Sequence, residues 1–190
     1  MEKTTAFLQK WRVRLGHLFT LGLLISARPE RLGLLIGTIV TLLGLAIRMA
    51  AAGCIRKDQS LARTGPYAFT RNPLYLGSFF MMLGFCVACG NLWVAAAFVP
   101  FFFLVYYSTI WREERFLSGK FGGAFAAFKA AVPRFLPRLT PADALEPGWF
   151  KWSRAMDNHE YEGAIAALMV LALLWAMNLT NFTLLKALLK

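Results

Sequence analysis

The sequence predicts an all-α fold, a polytopic membrane helix bundle with about five transmembrane helices. Hydrophobic residues make up 58% of the 190 residues, whereas a soluble domain is typically about 45–50% apolar. Four apolar runs are too long and too hydrophobic for the core of a soluble domain. No strand pattern interrupts these runs, which excludes a soluble dinucleotide-binding fold.

The first two apolar runs differ in length. Residues 15–27 form a run of only thirteen, short of the roughly 20 that a straight transmembrane helix needs, so the sequence leaves open whether it crosses fully. Residues 32–52 predict a full span. Arg48 is the one charge in this span, and we expect its side chain to snorkel towards the nearby membrane surface. Gly33 and Gly37 predict a small-residue face for close helix packing.

The middle of the chain predicts a helical hairpin followed by an amphipathic helix. Spans at 73–89 and 92–110 are separated by only two residues, which requires them to be antiparallel. In the following segment, apolar residues recur at helical spacing, with lysines off the stripe: Phe121, Phe125, Phe128 and Val132. This pattern is typical of an amphipathic helix at a membrane interface. Residues 161–179 predict a final span.

Basic residues lie mostly on one side of the predicted spans. With the N-terminus inside and five crossings, sixteen lysines and arginines fall in inside segments and four in outside segments. Cytoplasmic loops are enriched in these residues, so we expect a cytoplasmic N-terminus in a cell inner membrane. The net charge of +11 then reflects orientation and not nucleic-acid binding. No small-residue cleavage site follows the first apolar run, so no secretory signal peptide is expected.

The cysteines and histidines do not predict a metal site. His17 and His159 lack metal-ligand spacing and partners. Cys86 and Cys89 have redox-motif spacing, but they end an apolar span without charged neighbours that would lower a thiol pKa. Small packing residues are the favoured interpretation of these cysteines, as for Cys54.

The stretch 65–77 departs from the composition of a membrane span. Pro66 and Pro73 each fix a backbone torsion angle and remove a donor, so we expect a rigid, non-helical shoulder with a helix starting at Pro73. This shoulder carries Arg71, with Tyr67 and Tyr75 on either side. A fixed arginine at the mouth of a membrane helix predicts a binding site.

Two adjacent glutamates lie at the end of the third long span, on the same predicted face as Arg71. Neighbouring residues on a helix point about 100° apart, so Glu113 and Glu114 cannot serve one ligand equally. Acidic residues are unfavourable at a helix C-terminus, and a nearby cationic ligand would explain their presence. An arginine, a carboxylate and tyrosines on one face suit a zwitterionic ligand that also carries an aromatic group.

These motifs resemble the isoprenylcysteine carboxyl methyltransferase family, and the paired glutamates are shared with the related phospholipid N-methyltransferases. The resemblance covers about residues 32–137. It rests on ordered motifs between spans, namely Gly65-Pro66-Tyr67, Arg71-Asn72-Pro73-Leu74-Tyr75-Leu76-Gly77, Glu113-Glu114, Phe121-Gly122 and Val132-Pro133-Arg134. Length and composition predict a single membrane domain over 1–190. The resemblance implies a methyltransferase-like core at 32–139 within it, which leaves 140–190 as an extra linker and terminal span.

The resemblance implies transfer of a methyl group from S-adenosylmethionine to a lipophilic acceptor, leaving S-adenosylhomocysteine. Arg71 and Glu114 would act in catalysis, with Glu114 also receiving the ammonium of the cofactor. Three residues of a C-terminal lid segment, Val132, Pro133 and Arg134, would close over the adenosyl group. The remaining cofactor-binding residues implied by the motifs are Tyr67, Asn72, Pro73, Tyr75 and Glu113.

The acceptor is less constrained. Asn72 stands where the family often has histidine, and phenylalanines stand at 125 and 128 where it often has tyrosines. An amine acceptor must be neutral before it attacks, whereas a carboxylate needs no general base, so the lack of a histidine favours O-methylation of a prenylated or similar lipid. Phospholipid N-methylation, an NADPH-dependent reductase of the sterol-reductase type and a non-catalytic lipid-binding protein remain alternatives.

Overall fold

The computed structural model describes residues 2–56, 60–143, 148–180 and 182, with side chains from residue 14 onward. All regular structure in these ranges is helical, which confirms the predicted all-α class. The elements are α1 (Glu2–Ser26), α2 (Arg31–Ala52), a 3₁₀ turn (Gly65–Ala68), α3 (Pro73–Cys89), α4 (Leu92–Ala131), α5 (Trp152–Asp157) and α6 (Glu160–Leu179).

Three helices in the described part of the chain, α2, α4 and α6, are long and apolar enough to cross a membrane. The apolar parts of α1 (Arg14–Ser26) and of α3 are shorter. Large apolar side chains point outward, for example Leu32 at 69% exposure and Leu104 at 65%, as expected where lipid replaces water. The protein is an integral membrane helix bundle, and the fourth and fifth crossings stay predictions.

One compact unit comprises Met1–Leu42, Phe80–Thr109 and Ala166–Lys190. In it α2 and α3 approach closely, because a Cβ added to Gly37 would overlap the carbonyl oxygen of Gly84 and the backbone nitrogen of Ala88. The predicted packing role of Gly37 is therefore confirmed. The hairpin turn between α3 and α4 uses Gly90 at a φ of +69°, as the two-residue connection predicts.

The second unit comprises Leu43–Phe79 and Ile110–Ile165. Within α4, Gly122 has φ 50° and ψ −120°, so the helix consists of two segments joined at a kink. Beyond the kink, Phe125, Phe128 and Val132 form a buried cluster against Leu61 and Tyr67, among others. The helical spacing of this stripe is confirmed. An interfacial helix would bury such a stripe among lipid headgroups, whereas here it packs against other residues of the protein.

The expected snorkelling of Arg48 is wrong. Its guanidinium pairs with the first residue of α6, through Nε to Glu160 Oε2 at 3.0 Å and Nη2 to Oε1 at 2.9 Å. Nη1 also donates to Ser78 Oγ and to the Leu74 carbonyl oxygen. The Glu160 side chain is only 10% exposed. Arg48 stays inside because a carboxylate and two α3 oxygens satisfy its donors there, as is usual for charges in membrane proteins.

Candidate functional site

The shoulder before α3 begins with a short 3₁₀ helix, Gly65–Ala68, which differs from the predicted non-helical backbone. It continues as irregular backbone up to Pro73, where α3 starts as predicted. Gly65 begins the turn at a φ of +61°, and a Cβ there would overlap the ring of Trp149. Pro66 occupies the first turn of the 3₁₀ helix, and Pro73 is the first residue of α3. The prolines and the glycine therefore fix the backbone on both sides of Arg71.

Residues 132–142, which we call the closing segment, follow the end of α4 and run along the shoulder. Three backbone hydrogen bonds join the two: Arg71 N to Pro133 O at 2.9 Å, Arg138 N to Phe69 O at 3.0 Å, and Ala142 N to Ala68 O at 2.9 Å. The Thr70 hydroxyl donates to the Phe135 carbonyl at 3.0 Å. The shoulder and the closing segment are thus held together by main-chain bonds.

Glu114 lies at the centre of a buried ionic cluster. Its Oε1 accepts from Arg71 Nε at 2.9 Å and from Asn72 Nδ2 at 3.2 Å. Its Oε2 accepts from Arg134 Nε at 3.0 Å, and Nη2 of the same guanidinium lies 3.0 Å from this oxygen. An ionised carboxylate offers about four lone-pair sites. Both carboxylate oxygens of Glu114 are therefore engaged by donors of the protein, with which a ligand would have to compete.

Arg71 also caps the C-terminal end of α4. Arg71 Nη1 donates to the carbonyl oxygens of Lys129 at 2.8 Å and Val132 at 3.2 Å. Helix C-termini leave carbonyl groups without intrahelical partners, and an arginine can satisfy them. Asn72 adds a bond from Nδ2 to the Arg134 carbonyl at 2.9 Å. Arg71 and Glu114, whose side chains are each 7% exposed, form a preorganised unit.

Glu113 has the opposite environment. It is exposed, and its Oε2 accepts from the hydroxyl of Tyr75 at 2.8 Å. It lines a cavity of about 130 Å³ together with two of the predicted residues, Tyr67 and Arg71. Other residues that line this cavity were not predicted from sequence: Ile55, Arg56, Ser60, Leu61, Ala62, Phe116, Leu117 and Lys120, besides Phe121 and Phe128 of the predicted stripe.

The phenol of Tyr67 stays protonated in this environment. Burial raises its pKa well above the usual value, and the negative charge of Glu113 raises it further. A neutral phenol can donate a hydrogen bond to an anionic or carbonyl oxygen across the working pH range.

The structure gathers all the predicted site residues in one unit but brings only some of them to the cavity. Tyr67, Arg71 and Glu113 line the cavity. The others do not appear among its lining residues in the described part of the chain. Asn72, Glu114 and Arg134 instead build the ionic cluster, Pro73 starts α3, Tyr75 holds Glu113, and Val132 and Pro133 bind Arg71 through their carbonyl groups.

The described residues contain no group of three or more histidine, cysteine, aspartate or glutamate side chains placed to hold a metal ion. All three cysteines are buried free thiols.

Residues 33–124 match the model of the phospholipid methyltransferase family. The chain is also 31% identical over 83 residues to a protein-S-isoprenylcysteine O-methyltransferase of Schizosaccharomyces pombe, a match that covers 44% of this chain and 35% of that protein. The resemblance predicted from the motifs is therefore confirmed at the family level.

Two bacterial relatives bear names that refer to metal resistance. A cobalt-zinc-cadmium resistance protein of Cupriavidus metallidurans is 31% identical over 139 residues, covering 68% of this chain and 63% of the relative. A nickel-cobalt-cadmium resistance protein of Alcaligenes xylosoxydans is 33% identical over 116 residues, covering 61% of this chain and 53% of the relative. The chain thus spans between half and two thirds of their length. No solved structure matches significantly.

Proposed function

We propose that this relative of the phospholipid methyltransferases is an integral-membrane enzyme that transfers a methyl group from S-adenosylmethionine to a lipophilic acceptor. The proposal rests on one observation. The part of the chain that matches the family contains Tyr67, Arg71 and Glu113 around one cavity, and Arg71 is also paired with Glu114 at 2.9 Å. The metal-resistance names of two relatives describe no chemistry for this site, so they do not guide the choice of acceptor.

The donor and acceptor groups fit the two charged ends of the cofactor. We assign its ammonium to Glu113, because the oxygens of Glu114 are already occupied by Arg71, Asn72 and Arg134. The carboxylate of the cofactor can accept a hydrogen bond from Tyr67, whose phenol is neutral. The phenylalanines of the cavity offer an apolar surface to its adenine. At about 130 Å³ the cavity is smaller than the roughly 300–1,000 Å³ of typical ligand sites, so we expect it to widen on binding.

The cofactor, when bound, supplies an electrophilic methyl group on a sulfonium. The protein then has to align the attacking atom with this group and exclude water, since an in-line displacement depends mainly on orientation. Among the described residues that line the cavity, the one carboxylate is Glu113, which we assign to the ammonium of the cofactor, so no carboxylate remains there to take a proton from an amine acceptor. We therefore propose a carboxylate acceptor of the isoprenylcysteine type, with methylation of phospholipid amines as the alternative.

We further propose that the protein resides in a cell inner membrane and that its N-terminus and its site face the cytoplasm. The support is the sequence bias of lysine and arginine, sixteen against four, towards the side that carries the shoulder.

Titration calorimetry on the full chain in detergent tests the cofactor assignment. We expect S-adenosylhomocysteine to bind, and we expect Glu113→Gln to weaken its affinity roughly tenfold. This factor corresponds to about the lower end of the free energy of a charge-assisted hydrogen bond, because Glu113 is exposed. The matched control is Arg112→Gln, an exposed neighbour outside the cavity lining, which should leave affinity unchanged. Binding of NADPH without binding of S-adenosylhomocysteine would instead indicate the reductase alternative.

A further inference from the structure

We propose that a second cavity of the same unit, lined by Arg56, Arg63, Arg154 and Trp149, binds an anion that carries a phosphate group. Binding of this anion does not depend on methyl transfer. Arg63, Arg154 and Trp149 have no role in the proposed function, whereas Arg56 lines both cavities.

The cavity has the size of a ligand site. Its volume is about 580 Å³, which falls within the roughly 300–1,000 Å³ of small-molecule pockets. Besides the three arginines and the tryptophan, its described lining consists of Cys54, Ser60, Leu61, Ala62, Thr64, Asp143 and Gly148. Arginines and small hydroxyl residues therefore make up five of the eleven described lining residues.

The charges of the lining favour an anion. Three arginines face one carboxylate among the described lining residues, and Asp143 already pairs with Arg63 at 2.9 Å. The Nε atom of Arg63 is buried and has no hydrogen-bond partner in the described part of the chain. An unsatisfied buried donor is unfavourable, so the hydrogen-bonding capacity of this guanidinium is not used up by the described residues. The guanidinium group matches phosphate oxygens in geometry as well as in charge.

Two of the walls are fixed before any ligand arrives. Arg154 Nη1 donates to the carbonyl oxygens of Trp149 at 3.2 Å and Gly53 at 3.4 Å. The Trp149 ring packs against Gly65, where a Cβ would overlap it. The guanidinium of Arg154 and the ring of Trp149 are thus positioned by the backbone, which reduces the entropy cost of binding.

The cavity adjoins the proposed methyl-transfer site without following from the family match. The two cavities share Arg56, Ser60, Leu61 and Ala62 in their linings. Asp143, Gly148, Trp149 and Arg154 all lie beyond residue 124, where the family match ends. An occupant of the larger cavity would therefore lie next to the methyl-transfer site, at a position that this chain builds with its own C-terminal part.

Cys54 provides a reporter because it lines the cavity. Its thiol donates to the Ala50 carbonyl oxygen at 3.2 Å. Burial raises the pKa of this thiol to about 11, although the charge of Arg154 acts in the opposite direction. Alkylation is therefore expected to be slow at pH 8 and to accelerate as the pH rises, and peptide mass spectrometry can follow Cys54 separately from Cys86 and Cys89.

The experiment measures Cys54 alkylation by N-ethylmaleimide on the full chain in neutral detergent. One arm adds phosphatidylglycerol to the micelles, with diacylglycerol as the control that lacks phosphate. The other arm adds inorganic phosphate, with chloride at equal ionic strength as its control. We expect at least a fivefold slowing in one arm. Slowing by the lipid alone identifies a headgroup, and slowing by inorganic phosphate as well identifies a free phosphate group as sufficient.

The variants decide whether the arginines are responsible. Arg56→Gln and Arg63→Gln should each remove most of the protection, whereas Arg63→Lys should retain part of it and Arg112→Gln all of it. Arg56 is exposed, so its replacement leaves the fold intact even if Arg63→Gln disturbs the pair with Asp143. The proposal is overturned if neither phosphate source protects Cys54, if the controls without phosphate protect it equally, or if protection persists in both glutamine variants.

Discussion

Replacing Glu114 with alanine is expected to destabilise the protein by about 3–5 kcal/mol, because two arginines lose the carboxylate that compensates their charge. Arg71 is the more severe case, since its side chain is 7% exposed and keeps only carbonyl oxygens as partners. Asn72 and Arg134 lose an acceptor at the same time. Equilibrium unfolding in mixed detergent micelles measures the change in the free energy of unfolding.

Glu113→Ala is the matched control, since it removes the same side chain one residue earlier on α4. Glu113 is exposed, and surface substitutions usually change stability by less than about 0.5 kcal/mol. Glu113→Ala should instead lower the affinity for S-adenosylhomocysteine. Equal losses of stability in the two variants would contradict the separate roles assigned to these glutamates.

The second large effect is expected for Glu160→Ala, with a loss of about 3 kcal/mol in the free energy of unfolding. The substitution leaves Arg48 with the Leu74 carbonyl and the Ser78 hydroxyl as acceptors but without a counter-charge. The Arg48 side chain is 23% exposed, so solvent or lipid headgroups relieve part of the cost of leaving its charge unpaired. The same unfolding measurement applies.

Glu162→Ala serves as its control, two residues further along α6. That carboxylate is 66% exposed and lies 3.4 Å from His159. Its removal should cost less than about 0.5 kcal/mol. If Glu160→Ala costs no more than Glu162→Ala, the ion pair between Arg48 and Glu160 does not contribute to the stability of the protein.

Features with a local cause could be predicted from the sequence. Pro73 starts α3 because its ring suits the first helical position, and Gly90 closes the hairpin because a two-residue connection needs a tight turn. The Arg48–Glu160 pair had no such cause. Its partners are 112 residues apart, and a single charge near the end of a span fits an anchor at the membrane surface equally well.

Periodicity gave the direction of side chains but not their partners. The helical angle between Glu113 and Glu114 indicated that only one of them points inward, and the position of Arg71 and Asn72 decides that it is Glu114. The Phe125–Phe128 stripe likewise indicated an apolar face without showing that Leu61 and Tyr67 cover it. Contacts of this kind depend on segments that are distant in sequence, so a pattern within one helix cannot determine them.

The most direct test of the proposed function is methyl transfer from isotope-labelled S-adenosylmethionine to a membrane lipid extract. We expect a labelled lipid whose methyl group is released by mild base, as a methyl ester is, and a strongly reduced yield with Glu113→Gln. Label that resists base and stays on an amine would contradict a carboxylate acceptor. No labelled lipid, together with no binding of S-adenosylhomocysteine, would contradict the methyltransferase itself.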